Sequence, residues 1–226
     1  PTLITDTVGL TAFKKDAEDV KVQYEEKMKN AGKEVVLVTS GAISVGKKAV
    51  HISDAKQNIS IKQACAAIGQ GKLMSIYEEG FDTYGLVAAQ ILLTEDDFSI
   101  RTRYLSLRTT LNKLLELGAI PVINQNDTVT TIEIAPGFED MQVCFSDNDK
   151  LSALVASELD ADLLIINTCS IRQLSEDKAY SAIGVWGKWK KNKPDLKIVF
   201  AGCVAQQAGK YYQQFFHRAP YIDLLL

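Results

Sequence analysis

Histidine is almost missing from this chain. Among 226 residues only His51 and His217 carry an imidazole. Two are too few for a His-rich zinc site, and neither stands near a Ser or Cys motif that it could serve as a base. Both read as surface residues. Cysteine is scarce as well: Cys65, Cys144, Cys169 and Cys203 form no C-x-x-C pair, and their spacings suggest no disulfide framework. A reducing, cytoplasmic compartment is therefore the expectation. No apolar run is long enough to cross a bilayer and no signal peptide is visible, so a membrane is not an expected partner. A basic excess is also lacking. Net charge is −3, so no global attraction to nucleic acid is expected. The chain opens on Pro1 rather than Met, as a processed or excised sequence would.

What is present is the balance of a globular protein, with 46% apolar and 23% charged residues. Short apolar runs alternate with helical periodicity. Thr11 to Asn30 spaces Phe13, Ala17, Val20, Tyr24 and Met28 at three and four residues, which predicts an amphipathic helix ending at Gly32. "EVVLVTSGA" predicts a buried strand. Ala55 to Gly80 predicts a helix whose segment "KQACAAIGQGKLM" is dense in small residues, so a neighbouring backbone can come close. "LVAAQILLT" predicts a strand, Arg101 to Leu117 a helix stopped by Gly118, and "AIPVINQND" another strand. Asp147 is placed to cap a helix running to Leu159. After the strand Leu163–Ile166 come a helix, the strand "LKIVFAG", a helix and a last strand, "YIDLLL". The alternation predicts an α/β sandwich of three layers around a mostly parallel sheet. Ala135–Val143 holds Pro136 and Gly137 and reads as the linker.

In such folds chemistry collects at the carboxyl ends of the strands. Three regions there are polar. "TSGAISVG" sets Ser40 and Gly41 between a strand and a helix, where free N–H groups favour an anion. A plain tight turn has the same signature. "NQNDTVT" sets Asn124, Asn126 and Asp127 after an apolar strand; one Asp could hold an ammonium group and the amides a carboxylate, although Asx-rich turns look alike. "SDNDKLSAL" adds Asp147, Asn148 and Asp149, of which one is accounted for by the helix cap.

Taken together, in order and spacing, "EVVLVTSGAISVG", "KQACAAIGQGKLM", "AQILLTEDDFSIRTRYLSLRTTL", "LGAIPVINQNDTV" and "SDNDKLSALVASELDADLLII" resemble the glutamate 5-kinase branch of the amino-acid kinase family, over about residues 2–166. The resemblance implies phosphorylation of the L-glutamate γ-carboxylate by ATP with Mg2+, giving γ-glutamyl phosphate for proline biosynthesis. By position it makes Ser40, Gly41, Asp127 and Asn148 the glutamate-binding residues; it leaves the catalytic groups unassigned. The family commonly associates, which implies a homo-oligomer. "GQGK" at Gly69–Lys72 lacks the Walker spacing and falls within a helix, so it reads as close helix packing. The departures are on the nucleotide side. Glutamate kinases begin with a strand carrying a Lys and a Gly-Ser turn that contact ATP phosphates, and "PTLITDT" aligns with the residues just past that turn. The family's Thr-Asp pair after "LLII" and its long nucleotide-binding half are not found after Ile166. The expected chain therefore keeps the acceptor side and lacks the first strand and most of the ATP side.

The remainder resembles something else. "NTCSIRQLSEDKAYSAIG", "LKIVFAGCVAQQAG" and "RAPYIDLLL" are similar to the N-terminal domain of radical-SAM methylthiotransferases, a flavodoxin-like half, over about residues 161–226. That likeness makes Cys169 and Cys203 two of three ligands of a [4Fe–4S] cluster whose third cysteine has no counterpart here. Without it, two inert thiols near strand ends are the plainer reading. Cys65 reads as core filler. The basic, aromatic "WGKWKKNKPDLK" reads as a solvated helix end rather than an RNA face. "ADLLII", Ala161–Ile166, serves both resemblances, because each needs a buried parallel strand there. The expected organisation is residues 1–160 as the glutamate-kinase-like part and 161–226 as the second segment, joined inside one strand. The alternative function is a methylthiotransferase fragment with a partial iron–sulphur site.

Overall fold

The structure is a computed structural model and describes residues 2–6, 32–52, 58–129, 148–168, 190–191, 193–202 and 220–225. Its centre is a seven-stranded sheet. Strands β1 (Thr2–Asp6), β2 (Val35–Val38), β3 (Ala88–Leu93), β4 (Ile120–Gln125), β5 (Leu163–Thr168), β6 (Lys197–Gly202) and β7 (Leu224–Leu225) lie in the order β3-β4-β2-β1-β5-β6-β7. Every pairing is parallel. Helices α1 (Ala42–Ala49), α2 (Ile59–Asp82), α3 (Asp96–Ser99), α4 (Arg101–Glu116) and α5 (Asn148–Glu158) complete the described elements. The mixed α/β architecture with a parallel sheet agrees with the sequence expectation.

Side-chain alternation sorts the two faces. Leu37, Ile120 and Val122 pack with Leu73, Met74, Tyr77 and Phe81 of α2. Val36, Val38 and Ile123 point the other way, onto Leu107, Leu111 and Leu115 of α4 and Leu151 and Val155 of α5. That second core does not stop at the family boundary: Leu164 and Ile166 of β5, Leu196, Ile198 and Ile222 belong to it. The carboxy-terminal segment thus adds β6 and β7 to the same sheet.

Two expectations need correction. A first strand is present: Thr2–Asp6 pairs with β2 on one side and β5 on the other, in the middle of the sheet. It carries no Lys, so the cation expected of that position is still lacking. The last strand begins later than "YIDLLL" suggested, at Leu224, and its described residues pair through Val199↔Leu224 and Phe200↔Leu225. Just before the strand, Asp223 and Ile198 are bonded twice: the Asp223 N–H donates to the Ile198 carbonyl at 2.9 Å, and the Asp223 carboxylate accepts the Ile198 N–H at 2.9 Å. The expected helices over Thr11–Asn30 and after Cys169 and Cys203, the linker Ala135–Val143, His217 and Cys144 lie outside the described residues.

Helices α1 and α2 cross at backbone contact. A Cβ on Gly46 would stand 1.8 Å from the carbonyl oxygen of Cys65, and one on Gly69 would stand 1.8 Å from that of Ala42. Cys65 is buried and free, as core filler should be. "GQGK" lies inside α2 and serves this packing. His51 is exposed.

Candidate functional site

All strands being parallel, their carboxyl ends share one edge of the sheet. The winding reverses at β1: β2, β3 and β4 lie on one side of it, with β3 at the edge and β4 between β3 and β2, and β5, β6 and β7 lie on the other. Such a switch point opens a crevice at the carboxyl ends. Neighbouring strands β2 and β4 bring together the first two sequence-predicted regions. The Thr39 N–H donates to the Ile123 carbonyl at 2.8 Å, which carries the ladder one residue past β2. The Asn126 N–H donates to the Leu93 carbonyl at 2.8 Å and does the same for β4.

Gly41 then turns the chain. It has φ +105° and ψ 1°, in the left-handed region that favours glycine, and it caps α1 with no side-chain capping bond. The N–H groups of the first turn of α1 are thus left without that cap. Ser40 is half-buried beside Gly41. Beneath them, Thr39 Oγ1 and the Tyr77 hydroxyl share a buried hydrogen bond of 2.8 Å. The Asn124 side chain is buried too. Its Nδ2 donates to Gln70 Oε1 at 2.9 Å, and its Oδ1 accepts the Gln125 N–H at 2.8 Å.

Asp127 lies just past β4 and is half-buried. Burial pushes its carboxyl up to about 6. The Thr128 hydroxyl donates to Asn126 Oδ1, tying the turn around it. Asn148 is the first residue of α5; its side chain lies outside the described residues. The structure therefore joins Ser40 and Gly41 to Asp127 across adjacent strand ends, and gives Asn148 only a backbone position. Gln70 and Tyr77 were not read as site residues from the sequence. The signal was available: the buried stripe of α2 runs through Cys65, Ala66, Gly69, Gln70, Leu73, Met74, Tyr77 and Phe81, and a glutamine on an apolar stripe needs a polar partner.

The nucleotide side is different. At the carboxyl ends of β1, β2, β4, β5 and β6 the described residues include no Lys or Arg. Among the described residues no group of three or more His, Cys, Asp or Glu could hold a metal ion. These residues do not fit a magnesium-bound triphosphate. The ends of β5 and β6 face each other through Thr168↔Gly202. Cys169 and Cys203 come directly after these two residues in sequence and lie outside the described residues.

The fold is that of an α/β protein with a parallel sheet, and a helix-opening turn, amides and one carboxylate stand at its adjacent strand ends. The chain belongs to the amino acid kinase family, whose profile matches residues 11–169. A second profile, the uncharacterized protein family UPF0004, matches residues 139–226 and so overlaps the first across α5 and β5. This is the methylthiotransferase-like element. A glutamate 5-kinase from Caldanaerobacter subterraneus subsp. tengcongensis is 52% identical over 141 residues, 62% of this chain and 36% of that protein. One from Methanosarcina mazei is 47% identical over 149 residues, 66% of this chain and 37% of that protein. The chain thus spans about a third of the length of the curated relatives it matches. A solved aspartate kinase from Synechocystis aligns with TM-score 0.45 and 14% identity over 74% of this chain and 28% of that one, an overlap too loose to argue from.

Proposed function

We propose that residues 1–160 form a glutamate 5-kinase-like acceptor site that binds L-glutamate, and that phosphoryl transfer from ATP to its γ-carboxylate, the first step towards proline, is impaired in this chain. The Ser40–Gly41 turn would take a carboxylate on its N–H groups, Asp127 the ammonium group, and Asn148 a further polar contact. The observation that carries the reading is the adjacency of that turn to Asp127 at neighbouring strand ends, on a buried floor of Thr39, Asn124, Gln70 and Tyr77. The relatives' identity supports glutamate as the ligand. A carboxylate and a triphosphate repel one another, so transfer needs cations at the migrating phosphoryl group. Magnesium would supply part of that charge in the family reaction, but the described residues offer it no cluster. Calorimetric titration with L-glutamate, paired with a hydroxamate assay in MgATP, tests the reading. Binding with product at or near background is expected. A chain that takes up no glutamate overturns it.

A second reading concerns residues 161–226. The UPF0004 match and the in-register ends of β5 and β6, each with a cysteine next in sequence, favour a partial iron–sulphur site at Cys169 and Cys203. Anaerobic reconstitution decides it: a colourless, iron-free protein ends this reading. A cytoplasmic homo-oligomer is the proposed state, and a single species at monomer mass in sedimentation would contradict it.

A further inference from the structure

The amide network under the site ends in a donor that nothing among the described residues receives. Its orientation is fixed by one group that can only donate, the backbone N–H of Gln125. That N–H binds the side chain of Asn124 at 2.8 Å, so the atom facing it must be the oxygen, Oδ1. The other end of Asn124 is then Nδ2, a donor, and the Gln70 atom at 2.9 Å from it must be Oε1. Gln70 is left presenting Nε2. It is buried with no partner among the described residues, and the residue itself is only 7% exposed. A buried donor without an acceptor costs stability comparable to a lost hydrogen bond, so a protein that keeps one is expected to use it.

Position suggests the use. Gly69, the preceding residue, packs against the Ala42 carbonyl and the Gly46 N–H, immediately behind the Ser40–Gly41 turn. Asn124 sits at the carboxyl end of β4, two residues before the Asn126–Asp127 turn. Gln70 is wedged between the two halves of the candidate site. Gln125 also has a buried, unpartnered Nε2. Alternation along β4 sets its side chain on the same face as Ile123, towards α4 and α5, away from α2. Of the two, Gln70 is the one on the α2 side, bonded to Asn124 and next in sequence to the Gly69 that packs behind the turn.

We propose that Gln70 is a specificity residue: its Nε2 donates to a carboxylate oxygen of the bound amino acid, in an orientation enforced by Asn124. The inference rests on the glutamate-site reading above and adds to it which amide selects the acid over its amides. The test titrates the full-length chain and its Gln70→Glu variant with L-glutamate, L-glutamine and L-isoglutamine. Gln70→Glu keeps an oxygen for Asn124 Nδ2 and replaces the outward donor with an acceptor. Preference for glutamate over one of the two amides should fall by about ten-fold or more, the worth of a hydrogen bond to a charged group. A purely structural role would weaken all three ligands in equal proportion, and that result overturns the proposal. Asn124→Asp is the second variant, in case the first does not fold. It offers an oxygen to Gln70, turns the Gln70 amide round and should produce the same change in preference with Gln70 untouched; an unchanged preference in that folded variant is equally fatal. Absence of glutamate binding by the unmodified chain would remove the site reading itself, a failure distinct from an unaltered preference.

Discussion

Gly69 of α2 rests on the carbonyl of Ala42 so closely that a methyl group on it would lie 1.8 Å from the oxygen, while Gly71, two residues further along the same helix, has nothing within 4 Å. One glycine holds the Ser40–Gly41 turn against the floor of the site; the other is a helix interior exposed to solvent.

The pair predicts opposite responses to one methyl group. Gly69→Ala must separate α1 from α2 and should cost about 1–3 kcal/mol or more, as overpacked interiors do. Gly71→Ala should stabilise by about 0.5–1 kcal/mol, the helix-propensity difference. Urea denaturation of both variants checks this. Equal shifts in the midpoint would show that the helices do not meet at Gly69. Gly46→Ala should behave like Gly69→Ala, because its methyl would meet the Cys65 carbonyl.

Asp127 predicts a pH dependence whose sign is set by its burial. The carboxyl titrates at about 6 in the folded chain and near 3.9 when unfolded. Between these values the folded state holds the extra proton, so this group lowers stability as pH rises from about 4 to about 6 and keeps it lower above. Asp127→Asn removes the penalty. It should stabilise the ligand-free chain at neutral pH by on the order of 2 kcal/mol, with little effect at pH ~4. L-Glutamate binding should weaken in the same variant, and in the parent chain affinity should rise through pH ~6 as the carboxylate forms to meet the ammonium group. A pH-independent difference in stability between parent and variant would show that Asp127 titrates normally.

Most of the kinase-like half could be read in advance because its signals are local. β2, β3 and β4 are apolar runs closed by polar residues, and α4 ends where Gly118 adopts a positive φ. α2 starts at Ile59 because Asn58 caps it, its side chain accepting the Ile61 N–H at 2.8 Å. That cap sets the start four residues after the Ala55 expected from the sequence. What was not legible depends on distant partners. "TLITD" has no strong pattern of its own, and it becomes the central strand because β2 and β5 flank it, from about thirty and one hundred and sixty residues away. Gln70 was hidden for the same reason: its role is set by Asn124, fifty-four residues later.

The docking of the carboxy-terminal segment predicts an acid-sensitive bond. Asp223 receives the Lys190 ammonium and the Ile198 N–H, with Lys197 at 3.6 Å. Burial alone would raise its carboxyl, but these donors prevail and hold it below the ordinary carboxylate value. A depressed acid stabilises the fold above its unfolded pKa of about 3.9 and loses that contribution as pH falls through the lower folded value. Asp223→Asn should therefore cost about 1 kcal/mol at neutral pH, a figure reduced for partial exposure. The gap between parent and variant should close in acid. Thermal melts at pH ~7 and pH ~3 measure both, and a gap that widens in acid would reverse the assignment.

The shared core makes the last prediction. Ile198 and Ile222 of the second segment are buried in the same cluster as Val36, Leu111 and Leu151 of the first, and Lys193 bridges the junction to Asp160 at 2.9 Å and to Asp162 at 3.6 Å. Elements that bury one another cannot unfold separately without exposing the common surface to water. The probes are built in, because both tryptophans, Trp186 and Trp189, belong to the second segment while helix content is spread through the chain. Tryptophan fluorescence and far-ultraviolet circular dichroism should trace one denaturation curve with one midpoint. If fluorescence changes first, the second segment detaches on its own, and the continuity of β5 with β6 contributes little to the fold. Ile198→Ala supplies the complementary check. It should shift both signals together, by about 2–5 kcal/mol for a truncated buried isoleucine, even though the substitution lies outside the kinase-like half.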